Sequence, residues 1–178
     1  MFEITQHEIV HRNPWFGVVS AVVGAAGDEH PYFWVEKPDS SLVIARERAS
    51  GAWVMLRCQR PTFPGEWTLE FPQGGLDTGE RAEDAAEREL VEETGHRVLS
   101  LRRLGVLQEA AGFATSRVHV FSADVARDAA PRPEPLEAQN EVVELPDAEV
   151  RSALLAGRIV DASSVAALAL IYLTEGQA

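Results

Sequence analysis

Residues 74–96 read GGLDTGERAEDAAERELVEETGH. Glu80, Glu83, Glu87, Glu89, Glu92 and Glu93 fall within fourteen residues, ahead of Gly95. From Arg81 to Thr94 the apolar positions are Ala82, Ala85, Ala86, Leu90 and Val91, spaced for one face of a helix. Gly95 fits the position just past its end, where a left-handed residue is needed. On such a helix Glu89, Glu92 and Glu93 share one edge, where like charges repel. A solvated acidic face is one reading, since charge runs are usually that. The other is a ligand set, because a hard cation such as Mg²⁺ or Mn²⁺ prefers carboxylate oxygens and turns the repulsion into attraction.

The surroundings favour the second reading. Ahead of the helix, FPQGGLDTGE (71–80) reads as a tight glycine-rich loop whose amides and helix start suit an anion. Arg88, inside the acidic run, is set to pair with Glu80 and tie loop to helix. Carboxylates, a glycine-rich loop and an internal arginine together suggest metal-assisted phosphate chemistry.

Outward from this stretch, the chain has 178 residues, 46% hydrophobic and 25% charged, as expected of one globular domain. Its net charge of −12 argues against binding nucleic acid or an anionic membrane surface. Cys58 is the single cysteine, so no intrachain disulfide can form, and a reducing cytoplasm is the expected location. The first residues lack the pattern of a signal peptide, and no apolar run is long enough to span a membrane.

Strands are expected within residues 1–23, at 32–38, 41–47, 51–60 and 67–72, where β-branched and aromatic residues sit between turn residues. Residues 118–125 and 141–145 return to strand. Residues 126–141, rich in proline and acid, read as a loop long enough to suggest a function. Helices follow from Asp147 to Gly157 and over 161–176, the second capped by Asp161 or Ser163. Strands, a central helix, more strands and terminal helices make a mixed α/β sandwich, with no internal repeat and no boundary across residues 1–178.

Gly74, five residues, Glu80, seven residues, and then Arg88 through Gly95 resemble the Nudix box, G-x5-E-x7-R-E-U-x-E-E-x-G-U. His96 departs from its final aliphatic position. The resemblance implies a Nudix-type α/β/α sandwich and a hydrolase for nucleoside diphosphates linked to another moiety, using Mg²⁺ or Mn²⁺. It implies Glu89 and Glu93 as first metal ligands, then Glu92, the Gln73 carbonyl and, in an outer or water-bridged place, Glu80. Gly74, Arg88 and Gly95 are structural parts of the motif.

The segment before the box resembles the ADP-ribose pyrophosphatases, with Arg60, Glu70, Pro72 and Gly74 on typical positions. VHRNPWFGV near the start and GFATSRVHVFSADV (112–125) are similar to the same subfamily, although its later proline is replaced by Ala111. The implied reaction is hydrolysis of ADP-ribose to AMP and ribose 5-phosphate. A GDP-mannose or UDP-glucose type of nucleotide-sugar pyrophosphatase and a dinucleotide pyrophosphatase stand as alternatives, and a non-catalytic nucleotide sensor as a different class. Arg60 suits a phosphate, Glu70 suits sugar hydroxyls or a base, Trp15 suits base stacking and Arg117 suits a phosphate. The general base is expected in the acidic loop, Glu141 first and Glu137 second. Similar pyrophosphatases bridge two subunits with their first strands. That implies a homodimer built by residues 1–40, with Trp15 reaching the partner's pocket.

Overall fold

A computed structural model describes residues 3–25 and 27–175. Met1, Phe2 and Gly176, which fall in the expected elements, lie outside the described residues. The chain forms two compact units, Met1–Asp39 with Gln108–Arg117, and Ser40–Leu107 with Val118–Ala178.

The first unit is built on an antiparallel sheet of β1 (Glu3–Arg12), β2 (Gly17–Ala25) and β3 (Asp28–Glu36), in that spatial order. The turn after β1 is set by Asn13, whose Oδ1 accepts the N–H groups of Trp15 and Phe16, each at 2.9 Å. β1 is exposed along all ten residues, while Val19 and Ala21 of β2 are buried. Residues 108–117 run along β3: Val35 exchanges backbone hydrogen bonds with Phe113 and Thr115, and Tyr32 Oη donates to the Gly112 carbonyl at 2.6 Å.

The second unit carries a seven-stranded mixed sheet. Its spine runs β10 (Glu141–Leu145), β5 (Trp53–Cys58), β4 (Ser40–Glu47), β9 (Arg117–Arg127), β8 (His96–Gln108), with β6 (Thr68–Glu70) on β5 and β7 (Gln73–Gly75) on β4. β4 pairs with β9 in parallel and with β5 and β7 in antiparallel. Its run of buried residues, Ser41 to Ala45, suits a central strand covered on both faces. Alternate side chains serve opposite layers. Leu42 and Ile44 join Trp53, Met55 and Phe71 beneath helices α2 (Asp147–Leu155) and α3 (Ala162–Glu175). Val43 and Ala45 join Val54, Phe121 and Val125 beneath helix α1 (Ala82–Thr94), through its Ala86 and Leu90. This is the α/β/α sandwich expected.

Two elements differ from the sequence reading. β8 was not expected as a strand: its apolar residues break alternation around Arg102 and Arg103, and it begins one residue after the α1 cap. The stretch read as loop over 71–80 contains instead a short strand, β7, where Ser40 pairs with Gly75 and Leu42 with Gln73. Cys58 is buried, as its place in a strand suggested, and burial pushes its thiol up to about 12. No helix among the described residues is long and apolar enough to cross a membrane.

Candidate active site

Helix α1 presents its carboxylates alongside β7. The Gln73 N–H donates to Glu93 Oε2 at 3.0 Å, while Glu93 Oε1 is buried with no hydrogen-bond partner among the described residues. Glu93 is only 4% exposed. Burial, with the charges of Glu137 and Glu89, pushes its carboxyl up to about 9. Burial also raises Glu89, against the pull of Arg88. The Glu92 side chain, by contrast, is 45% exposed.

Arg88 organises the helix edge. Its Nε and Nη2 donate to the two Glu80 oxygens at 2.9 Å each, its Nη1 to Glu89 Oε1 at 2.7 Å, and its Nη2 to the Gly75 carbonyl at 3.0 Å. Glu80 also accepts the Asp77 N–H, and the Arg88 bonds with this one hold its carboxyl down at about 2. Gly74 lies so close to this edge that a Cβ there would overlap the Glu89 carboxylate.

The C-terminus of α1 fixes the acidic loop. Gly95 takes a left-handed conformation, φ 69°, and a Cβ on it would meet the Ala129 carbonyl. The Gly95 carbonyl accepts from the Asp128 and Ala129 amides, and the Glu92 carbonyl from Arg132 at 2.7 Å. The chain beyond is thereby tethered to α1, and Glu137 stands half-buried, near enough for its charge to act on Glu93 and Glu89. Burial raises the Glu137 carboxyl, opposed by Arg60, whose Nη1 is 3.9 Å away. His96, just past Gly95, is buried, its Nε2 3.4 Å from Glu144.

Arg60 and Glu70 meet each other. Arg60 Nη2 donates to Glu70 Oε2 at 2.7 Å, with Nε near both oxygens. Glu70 is buried and further accepts from Thr68 Oγ1 and the Gln73 side-chain amide. Burial alone would raise its carboxyl; these bonds outweigh that and hold it low.

The structure thus brings together Glu80, Arg88, Glu89, Glu92, Glu93, Gln73, Gly74, Glu70, Arg60 and Glu137. Glu141 stands apart at the start of β10, exposed and paired with Arg57 at 3.0 Å. Trp15 and Arg117 belong to the first unit. Trp15 is 74% exposed, and the Arg117 N–H donates to Asp39 Oδ1. Sequence reasoning assigned Asp161 only a capping role. Its Oδ2 does accept the Ser164 N–H at 2.7 Å, and it also accepts the Gln73 side-chain amide at 3.2 Å. A link across so many residues leaves no local sequence signal.

The NUDIX domain family matches residues 36–167. The chain belongs to the Nudix family of hydrolases. A CMP-5'-(N-acetyl-N-hydroxy-3-aminopropyl)phosphonate hydrolase from Streptomyces rubellomurinus (strain ATCC 31215) is 30% identical over 162 residues, 90% of this chain and 77% of that protein. An ADP-ribose pyrophosphatase from Bacillus subtilis (strain 168) is 43% identical over 56 residues, 32% of this chain and 30% of that one. A solved structure described as an ADP compounds hydrolase superposes with a TM-score of 0.82 at 24% identity, covering 99% of this chain and 95% of that one. The fold is therefore shared with that structure, and the Nudix match itself covers residues 36–167.

Nudix hydrolases generally use a divalent metal. Glu93 Oε1, buried without a partner among the described residues and close to the largely buried Glu89 carboxylate, is an oxygen that a hard cation would satisfy. As they stand, Glu89 turns to Arg88, and no three His, Cys, Asp or Glu side chains among the described residues converge on one point.

Proposed function

We propose that this Nudix hydrolase cleaves the diphosphate bridge of a nucleoside diphosphate linked to a second moiety, with ADP-ribose as the leading substrate. The observation that carries the reading is the buried, partnerless Glu93 Oε1 beside Glu89 and Glu137. Glu89, Glu93 and Glu92, with the Gln73 carbonyl, are the residues that would hold Mg²⁺ or Mn²⁺, and Glu80 an outer contact. A bound metal supplies charge neutralisation on the phosphate oxygens and a more acidic water. Water adds to one phosphorus, and the bridging oxygen leaves with the other as a monophosphate; for ADP-ribose the products are AMP and ribose 5-phosphate.

Glu137, rather than Glu141, is the proposed acceptor of the water's proton. It is half-buried against the carboxylate group, whereas Glu141 is exposed and paired with Arg57. Arg60, one-third exposed, binds a phosphate with the donors that Glu70 leaves free. Glu70 acts by holding Arg60, and Arg88 by holding Glu80 and Glu89.

The local match to an ADP-ribose pyrophosphatase supports the adenine compound. A cytidine compound is the second reading, supported by the relative named for a CMP-linked phosphonate, which matches over most of this chain. A second copy of this chain is the proposed partner. The three-stranded sheet exposes Ile4, Ile9, Val10, Tyr32 and Phe33, and light scattering should return a dimer; an active monomer would refute that part.

Turnover should be measured on ADP-ribose, UDP-glucose, GDP-mannose, a dinucleotide and a CMP-linked compound. EDTA should abolish it and Mg²⁺ or Mn²⁺ restore it. Turnover unchanged in excess chelator sinks the metal assignment. Efficient hydrolysis of nucleoside triphosphates alone overturns the substrate class. Arg60→Ala should raise KM about tenfold, the scale of one lost charge-assisted hydrogen bond at roughly 1.5–3 kcal/mol. It should also lower Tm, because the buried Glu70 loses its arginine.

A further inference from the structure

We infer that Asp161 and Ser164, in the first turn of α3 and its cap, are positioning residues for the Glu93 carboxylate. The inference rests on the metal-binding reading of α1 given above. The segment Phe71–Gln73 is gripped at both ends from α3. The Phe71 N–H donates to Ser164 Oγ at 3.1 Å, and the Gln73 side-chain amide donates to Asp161 Oδ2 at 3.2 Å. Asp161 Oδ2 simultaneously caps α3 through the Ser164 N–H at 2.7 Å, so one carboxylate fixes both helix and segment. Ser164 is fully buried, which leaves its hydroxyl little freedom to choose another partner.

What the grip delivers is the Gln73 main chain. Its N–H is the hydrogen bond to Glu93 Oε2, and that bond orients the carboxylate so that Oε1 is the oxygen left without a partner. Between the two anchors, the Pro72 carbonyl accepts the Val43 N–H of β4 at 2.9 Å. The segment is therefore held from the central strand as well as from α3. α3 lies on the opposite face of the sheet from α1, so the link carries structural order from one helical layer to a carboxylate of the other. Outer contacts of this kind set ligand orientation, and their loss typically lowers metal affinity about 10–100-fold.

The side-chain chemistry separates this role from helix capping. Asp161→Ser keeps a hydroxyl able to cap α3 and shortens the side chain away from Gln73. Asp161→Asn keeps an oxygen for both bonds. Gln73→Leu removes the amide and preserves the main-chain N–H.

The test is Mn²⁺ binding to each full-length variant, followed by the electron paramagnetic resonance signal of the free ion, with Tm measured alongside. Asp161→Ser and Gln73→Leu should each weaken Mn²⁺ binding about tenfold at a Tm near the wild type. The double variant should be no weaker than either alone, and Asp161→Asn should bind as the wild type does. kcat should fall with the Mn²⁺ affinity while KM at saturating metal stays put. Wild-type affinity in both single variants, or losses that multiply in the double variant, overturns the inference. A wild-type protein that takes up no Mn²⁺, or that binds it equally after Glu93→Gln, overturns the metal reading itself, and this inference with it.

Discussion

Two regions of the second unit are both rich in carboxylates and yet unlike in structure. Helix α1 concentrates glutamates around Arg88 and buries Glu93; the 128–141 segment spreads Glu134, Glu137 and Glu141 along a turn and leaves most of it exposed. The difference teaches that charge density does not make a ligand. Water withheld from a carboxylate, and a counter-charge withheld with it, raises the free energy of the bare anion and so favours a cation. Glu93 meets both conditions. Glu141 meets neither, and Glu137 lies between them, drawn toward α1 because Gly95 and Glu92 carbonyls hold residues 128, 129 and 132.

The sharpest break between buried and solvated acids should come from Glu93→Gln against Glu83→Gln. The first should lower kcat about 10³-fold or more, a loss of several kcal/mol of charge stabilisation, and the second by less than about twofold. Equal losses in steady-state kinetics would return the helix to a solvated face. Next comes the loop. Glu137→Gln should lower kcat about 10²-fold, the scale of general-base assistance, while Glu141→Gln leaves it nearly unchanged. The reverse ranking would hand the base to Glu141.

A neighbouring pair of glycines gives a smaller contrast. Gly74→Ala places a methyl on the Glu89 carboxylate, whereas nothing lies within 4 Å of a Cβ at Gly75. Turnover should fall about tenfold or more for the first and stay within about twofold for the second, since displacing a reacting group by about 1 Å can cost up to 10²-fold. Similar rates for the two would mean that the Glu89 position tolerates the shift.

Helix α1 was legible because its 3.6-residue period, its terminal glycine and its fixed acidic positions are all local signals. The β4 run of apolar residues announced a strand for the same reason. β8 escaped because its long strand carries adjacent arginines at 102 and 103 and so lacks a clean two-residue alternation. Within the site, the Arg88–Glu80 pair was foreseeable from spacing across one loop. The Arg60–Glu70 pair was not: each residue looked like a substrate contact, and only the adjacency of β5 and β6 makes them partners. Choosing between Glu137 and Glu141 required the tether at Gly95, which acts through main-chain carbonyls that carry no side-chain signature.

The parallel pairing of β4 with β9, in which Leu42 stands opposite Val120, bears on how the protein assembles in time. Parallel neighbours cannot be joined by a hairpin, and the connection here takes in β5, β6, β7, α1 and β8. A long stretch of chain must be closed before the sheet's centre can exist, and non-local pairing of this kind slows folding. The acidic motif is continuous in sequence, yet its anchor Gln73 sits on β7, which is hydrogen-bonded to β4. An excised helix would therefore keep its glutamates without the amide that orients Glu93. In refolding, helical signal should return early, and metal affinity should lag until the middle of the sheet has closed.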